Sequence, residues 1–313
     1  MIPGPFSYHR PKTIHEAASL LAQHGGESRV LAGGQSLIPL MKLRLANPDH
    51  LIDLAAIGDL KGIERSGNTL VIGAMTTQAE LIGSKALTDA APLVREASLH
   101  VADPQVRYIG TLGGNVANGD PGNDMPAVMM CLNASYRLVS QGGARGVKAR
   151  DFYEGTYATA LRPGEILTAI EIPLPPAGHG YAYEKLKRKI GDYATAAAGV
   201  MLTTRGGKIA TCAITLSNLA DKALLAEDAA AAVVGTSLEK PALDAAAKAA
   251  RAIMSPTPDT RGSAEYRTFV GGVMVQRALQ GALARAKGMM QPDNPWEMRR
   301  HGKVARQNER QRA

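Results

Sequence analysis

The order of apolar and polar positions predicts a chain of mixed helices and strands. Strands are predicted at residues 30–32, 51–54, 69–76, 135–140, 145–150, 166–172, 181–188, 197–204 and 208–217. Helices are predicted at 12–25, at 77–101 in two pieces broken before Pro92, at 124–133, 222–234, 241–254 and 264–287. Strands and helices do not alternate regularly, so the pattern favours an α+β fold over a doubly wound sheet.

Prolines mark the clearest boundary in the chain. The segment Pro173–Gly178 (PLPPAG) follows an alternating apolar strand, and proline cannot continue a central strand. Beyond it, residues 197–204 and 208–217 are expected to pair as a hairpin across Arg205-Gly206-Gly207. Alanine-rich helical segments follow. The C-terminal part is therefore expected to be a sheet covered by helices.

Composition restricts the classes of function. Apolar residues make up 45% and charged residues 20% of the chain, as is ordinary for a soluble protein. No apolar run approaches the roughly 20 residues of a membrane helix, and the N-terminus lacks a signal-peptide layout, so a cytoplasmic protein is expected. Cys131 and Cys212 cannot hold an iron–sulfur cluster, which takes four ligands. The seven histidines form no metal-spaced pair, and no metal site is predicted.

Most of the net charge of +8 lies at the C-terminus. Six basic residues there oppose only Glu309, which leaves +5 in the tail. They are Arg299, Arg300, Lys303, Arg306, Arg310 and Arg312. A basic tail can contact nucleic acid, anionic lipid or an acidic partner, and a solvated, disordered terminus is the simpler interpretation.

Two glycine pairs are the most informative local feature. Ala32–Ser36 (AGGQS) and Thr111–Asn115 (TLGGN) each follow an apolar stretch and lie about 80 positions apart, with no Lys or Arg at 31–40 or 110–121. Adjacent glycines let main-chain amides converge on an anion, so the two segments together could hold a pyrophosphate. Ordinary turn glycines are the alternative. No P-loop or Rossmann motif is present.

The sequence around these glycines resembles that of the FAD subunit of the molybdenum hydroxylases, the xanthine dehydrogenase family. The resemblance covers about residues 1–287 and is nearest to the branch that oxidises carbon monoxide. The blocks that carry it are MIPGPFSYHRPKTI, AGGQS, VIGAMTTQAELIGS, ADPQVRYIGTLGGNVANGDPGNDMPA and GHGYAYEKLKRKIGDYATAAAGV.

The resemblance implies the FAD-binding fold of the vanillyl-alcohol oxidase type. Two α/β FAD subdomains are expected at residues 1–56 and 57–177. A three-stranded antiparallel sheet with a helix bundle is expected at 178–287, followed by a basic, disordered tail at 288–313.

The resemblance also implies the residues that bind FAD. Residues of the two glycine segments would hold the diphosphate and the adenosine side, and Asp124 would bind ribityl or ribose hydroxyls, with helix capping as its alternative role. Lys185 would lie near the flavin N1–C2=O edge, Tyr193 would stack on or gate the ring, and Ala102 would form a wall. The full set is Arg29, Val30, Leu31, Ala32, Gly33, Gly34, Gln35, Ser36, Ala102, Gly110, Thr111, Leu112, Gly113, Gly114, Asn115, Asn118, Asp124, Ile166, Lys185, Asp192 and Tyr193.

For function, the resemblance implies an electron relay without a substrate site. A large molybdenum-cofactor subunit would oxidise CO with water, and a small subunit with two [2Fe–2S] clusters would pass electrons to the FAD here. The complex would be a dimer of heterotrimers. A quinone-linked acceptor at the inner face of the cytoplasmic membrane would take the electrons.

Three alternatives remain open from the residues alone. The first is the same subunit in a complex that hydroxylates an aromatic, N-heterocyclic or aldehyde substrate. The second is a stand-alone flavin oxidase, for which no substrate-binding segment is apparent. The third is a nucleic-acid- or lipid-binding protein that acts through the basic tail, with binding that falls steeply as salt rises.

Overall fold

A three-stranded parallel sheet forms the N-terminal part of the fold. The computed structural model describes residues 2–289 of the chain. The elements of this part are β1 (Ser7–His9), α1 (Ile14–His24), β2 (Ser28–Leu31), α2 (Leu37–Lys42) and β3 (His50–Asp53). The strand order is β1-β3-β2. The predicted amphipathic helix is confirmed in α1, which Thr13 caps by accepting a hydrogen bond from the Glu16 amide.

A five-stranded antiparallel sheet with helices against it forms the middle part. Its elements are β4 (Ile63–Ser66), β5 (Thr69–Gly73), α3 (Gln78–Gly83), α4 (Lys85–Ala90), α5 (Pro92–His100), α6 (Pro104–Ile109), α7 (Leu112–Ala117), α8 (Met125–Cys131), β6 (Ser135–Ser140), β7 (Gly143–Lys148), β8 (Tyr153–Gly155), β9 (Ala158–Thr159) and β10 (Ile166–Pro173). The strand order is β4-β5-β10-β6-β7, and β8 pairs with β9 alone. The predicted strand at 166–172 becomes the centre of the sheet.

Two predictions for this part were wrong because short polar side chains start new helices. Residues 77–101 form three helices rather than two, since Ser84 accepts a hydrogen bond from the Leu87 amide and opens α4. The second glycine segment, expected to be a loop at 110–119, is the helix α7. Thr111 caps this helix, and both glycines lie in its first turn.

An antiparallel sheet covered by two long helices forms the C-terminal part. Its elements are β11 (Gly180–Leu186), β12 (Ala196–Arg205), β13 (Lys208–Ser217), β14 (Leu224–Leu225), α9 (Glu227–Ala231), α10 (Lys240–Ala252) and α11 (Ala264–Ala286). The three predicted strands are confirmed, and the two-residue strand β14 adds a fourth, which shortens the helix expected at 222–234. The hairpin turns at Gly206 and Gly207, both with positive φ, as the tight two-residue turn requires.

Three apolar cores hold these parts together, and two of them cross between parts. The N-terminal core includes Ile166 of β10, and the middle core includes Tyr183 and Ala197 of the C-terminal sheet. A third core lies between that sheet and α11. Position 180 requires glycine there, because a side chain would collide with the Ala282 carbonyl. The subdomain boundaries at residues 56, 177 and 287 stay predictions. Between residues 2 and 289 no helix is long and apolar enough to span a membrane.

Candidate functional site

The two glycine segments, which are far apart in sequence, lie against each other in the fold. A Cβ atom on Gly33 would be 2.2 Å from the Ile109 carbonyl oxygen and 2.9 Å from the Gly110 Cα. A Cβ atom on Gly114 would be 3.5 Å from the Ala32 Cβ. Glycine is therefore required at position 33, because any side chain would collide with main-chain atoms that cannot move away.

The two segments differ in which main-chain amides are free. Among the described residues, the amides of residues 33–36 donate no hydrogen bond, and the Ser36 side chain makes no helix-capping bond. In the second segment, by contrast, the Gly113 amide donates to the Ala74 carbonyl at 2.8 Å and the Gly114 amide to Thr111 Oγ1 at 3.0 Å. The second pair therefore does not present its amides to an anion, while anion binding by the first pair stays a prediction. The second pair is packed into the fold, where Gly113 contacts Ala74.

Two buried amide side chains beside the second segment lack partners. Gln78 is 1% exposed, and neither its Nε2 nor its Oε1 atom has a hydrogen-bond partner within the described chain. Asn118 Nδ2 is likewise buried and unpaired. An unsatisfied buried polar group costs about 1–3 kcal/mol, so these atoms are suited to hydrogen-bond a ligand. Asn118 was predicted as a site residue. Gln78 was missed because it reads as an ordinary first-turn helix residue, although its main chain donates to the Gly110 carbonyl at 2.9 Å.

Asp124 and Lys185, both predicted as site residues, form a buried ion pair. Lys185 Nζ lies 2.7 Å from Asp124 Oδ2, and the two side chains are 2% and 5% exposed. The Tyr183 hydroxyl donates to the other Asp124 oxygen at 2.5 Å, and Lys185 also donates to the His100 carbonyl. The alternative role of Asp124 as a helix cap is wrong, since its side chain makes no capping bond at the start of α8.

The surroundings of this pair favour neutral forms of its neighbours. Burial, together with the charge of Asp124, raises the pKa of Tyr183 well above its usual value, so Tyr183 stays a hydrogen-bond donor. Burial and then the nearby Lys187 charge lower the pKa of His100 to about 4. Lys187 donates to the same His100 carbonyl as Lys185, at 3.1 Å. One carbonyl therefore accepts from two lysines.

Tyr193 lies in the connection between β11 and β12, next to the turn that precedes α8. Its hydroxyl donates to Asp120 at 3.1 Å, and a Cβ on Gly122 would be 2.6 Å from its ring. Arg261 lies 5.7 Å from the ring centroid and binds Asp192 at 2.6 Å. Burial and the Asp120 charge raise the pKa of Tyr193. Tyr193 is 41% exposed, so its ring can pack against a further planar group.

The remaining predicted residues take supporting positions. Leu112 and Ile166 are buried in the apolar cores, and Ala102 has a positive φ of 43° in the turn before α6. The Asn115 side chain accepts from the Met125 amide at 3.3 Å and so connects α7 to α8. The guanidinium of Arg29, an exposed residue of β2, donates to the carbonyls of Gly26 and Ser28.

One group of side chains went unnoticed in the sequence. His9, His24 and His50 converge on the N-terminal sheet, although they are separated by 15 and 26 positions. No short-range spacing rule detects such a group, because its members come from three different elements.

Comparisons with known proteins cover almost the whole chain. Residues 4–175 match the family described as FAD binding domain in molybdopterin dehydrogenase, and residues 181–282 match the CO dehydrogenase flavoprotein C-terminal domain. The carbon monoxide dehydrogenase medium chain of Afipia carboxidovorans is 62% identical over 92% of this chain and 100% of its own length. The carbon monoxide dehydrogenase medium chain of Hydrogenophaga pseudoflava is 47% identical over 91% of this chain and 99% of its own length. A crystal structure of the Cu,Mo-CO dehydrogenase in its cyanide-inactivated form contains a chain that superposes with a TM-score of 0.90, covering 91% of this chain and 100% of that one.

Proposed function

Because the chain belongs to the family of FAD-binding subunits of molybdopterin dehydrogenases, we propose that it is the FAD-carrying, electron-transferring medium subunit of an aerobic CO dehydrogenase. The whole complex would convert CO and water to CO2, two protons and two electrons. One observation carries the proposal for this chain. Gly33 packs against the main chain of Ile109 and Gly110, and within the described residues the amides of residues 33–36 have no hydrogen-bond partner.

The residues present fit the diphosphate of FAD. Four consecutive amides that have no partner between residues 2 and 289 supply fixed partial positive charges, so a diphosphate can bind without Lys or Arg in either segment. The Ser36 hydroxyl, Asn118 Nδ2 and the Gln78 amide add donors that nothing else in the described chain uses. When bound, FAD supplies the exchange between two-electron and one-electron transfer. The chain would hold it and keep it apart from water.

The buried pair of Lys185 and Asp124 is proposed to stand at the flavin end of the site. A positive charge beside a flavin stabilises its reduced, anionic form. Lys185 is already paired with Asp124 at 2.7 Å, so its net field is smaller than that of an isolated lysine. Tyr183 and the His100 carbonyl hold both members in place. Tyr193, with Asp192 beside it, is proposed to cover the ring.

The partners follow from the same proposal. Both carbon monoxide dehydrogenase relatives are named medium chains, which supports a larger and a smaller partner subunit. We propose that the larger one carries the molybdenum cofactor and the smaller one two [2Fe–2S] clusters, in a dimer of heterotrimers. A quinone-linked acceptor at the inner face of the cytoplasmic membrane would receive the electrons.

The alternatives are less well supported. A complex that hydroxylates an aromatic, N-heterocyclic or aldehyde substrate would use a similar subunit. However, identities of 62% and 47% to carbon monoxide dehydrogenase medium chains favour CO. A nucleic-acid- or lipid-binding role through the basic tail concerns residues that lie mostly outside the described part of the chain.

The test compares two glycine substitutions in the complex assembled with its partner subunits. Gly33→Ala is expected to lose most of the FAD, because its Cβ would be 2.2 Å from the Ile109 carbonyl oxygen. Gly26→Ala is the matched control, since a Cβ there meets nothing within 4 Å. The measurements are the FAD released per complex on denaturation and the CO-dependent reduction of a dye. A wild-type complex without flavin, or full FAD content in Gly33→Ala, would disprove the proposed role of this site.

A further inference from the structure

Three histidines from separate elements meet on the N-terminal sheet. His9 Nε2 and His50 Nδ1 share a hydrogen bond of 3.0 Å, which a bound metal would replace, and one ring nitrogen of each of the three histidines lies within 4.8 Å of the others. The rings of His24 and His50 are stacked with centroids 3.7 Å apart, and His9 lies 5.1 Å and 5.2 Å from them. All three side chains are partly exposed, so ions from solvent can reach them.

The strand register and a helix end produce this arrangement. His50 pairs with Ser7 in the parallel ladder between β1 and β3, so His9 lies two residues further along the same face. His24 is the last residue of α1, where Gly25 with φ 51° turns the chain back toward β2. Each position is fixed by main-chain structure. The fold therefore fixes where the three residues stand along their elements.

We propose that His9, His24 and His50 bind one divalent transition-metal ion, Zn²⁺ or Cu²⁺, and leave its remaining coordination positions to water. Neutral imidazole nitrogens are good ligands for these ions. The 3.0 Å between His9 Nε2 and His50 Nδ1 is close to the roughly 3.3 Å expected between two ligands of a tetrahedral ion with bonds of 2.0–2.1 Å.

The cluster is separate from the proposed cofactor site. His50 pairs with Ser28 at the start of β2, whereas Gly33 follows the other end of that strand. The ion would thus hold α1, β1 and β3 together, and its binding does not depend on the proposed function.

The test uses the tag-free full-length chain, titrated with Zn²⁺ in a calorimeter at neutral pH and with Cu²⁺ for electron paramagnetic resonance. We expect one ion per chain and a Cu²⁺ spectrum with hyperfine splitting from more than one imidazole nitrogen. Losing even an outer partner of a ligand weakens metal binding by about 10–100-fold, so His24→Gln and His50→Gln should each weaken it at least as much.

His15→Gln is the matched control, because His15 lies on the exposed face of the same helix α1. It should leave Zn²⁺ affinity unchanged. Circular dichroism melting of each variant shows whether it is folded, and Zn²⁺ should raise the Tm of the wild type but not of His24→Gln. No saturable binding by the wild type, a Cu²⁺ spectrum with one nitrogen, or equal loss in His15→Gln would overturn the proposal.

Discussion

Replacing Lys185 with methionine removes one half of the ion pair that joins helix α8 to strand β11. Its partner Asp124 would keep the hydrogen bond from Tyr183 but lose the ammonium group paired with it, in a place where the carboxylate side chain is 5% exposed. Breaking a buried pair in this way costs about 3–5 kcal/mol, because the remaining charge is neither paired nor solvated. At about 2–4 °C per kcal/mol for a chain of this order of size, we expect the Tm to fall by roughly 6–20 °C.

The chain offers a control with the same geometry and a different environment. Lys85 and Asp89 are also 2.7 Å apart, but their side chains are 86% and 61% exposed. An exposed pair four residues apart on a helix contributes about 0.3–0.5 kcal/mol. Lys85→Met should therefore lower the Tm by no more than a degree or two. The contrast isolates burial, since both substitutions remove the same group at the same distance.

The assay is thermal unfolding of the full-length chain, read as a double-mutant cycle. Asp124→Asn combined with Lys185→Met removes both charges and should regain most of the lost stability. The expected coupling energy is about 2 kcal/mol or more, at the upper end of values for residues in contact. The role assigned to burial would be refuted if the Lys185→Met variant had the same Tm as the Lys85→Met variant. It would also be refuted if the double variant were less stable than either single variant.

Two further predictions concern His100 and Gln78. The pKa of His100 is about 4 in the folded chain, against an ordinary value of 6.5. Between these two pH values the unfolded chain binds more protons than the folded chain. The free energy of unfolding therefore decreases as the pH falls, by roughly 3 kcal/mol in all. His100→Gln should flatten the Tm between about pH 4 and pH 7, while His15→Gln should not, and equal slopes would contradict the assignment. Gln78→Leu should raise the Tm of the FAD-free chain, because it removes two unpaired buried atoms, and should lower the FAD content of the assembled complex. If the substitution lowered both the Tm and the FAD content, Gln78 would stabilise the fold and would not be a ligand for FAD.

Local sequence determined much of this protein. The family predicted from AGGQS and the blocks around it is confirmed by the matches over residues 4–175 and 181–282. The central strand β10, the helices α1 and α11 and the Gly206-Gly207 turn follow the predicted patterns. These features depend on alternation, capping and allowed φ values, which residues close in sequence decide among themselves.

Only the tertiary structure decided which groups can act. The Gly113 amide is occupied because β5 ends at Gly73 and brings the Ala74 carbonyl to it, while the amides of residues 33–36 meet no acceptor in the part of the chain that the structure describes. Lys185 lies beside Asp124, 61 positions away, because β11 packs against α5 while its sheet neighbours β12 and β13 pack against α8. The three-histidine cluster and the unpaired Gln78 amide arise in the same way. Such contacts depend on strand register and on packing between distant segments, and the periodicity of a single segment carries no information about either.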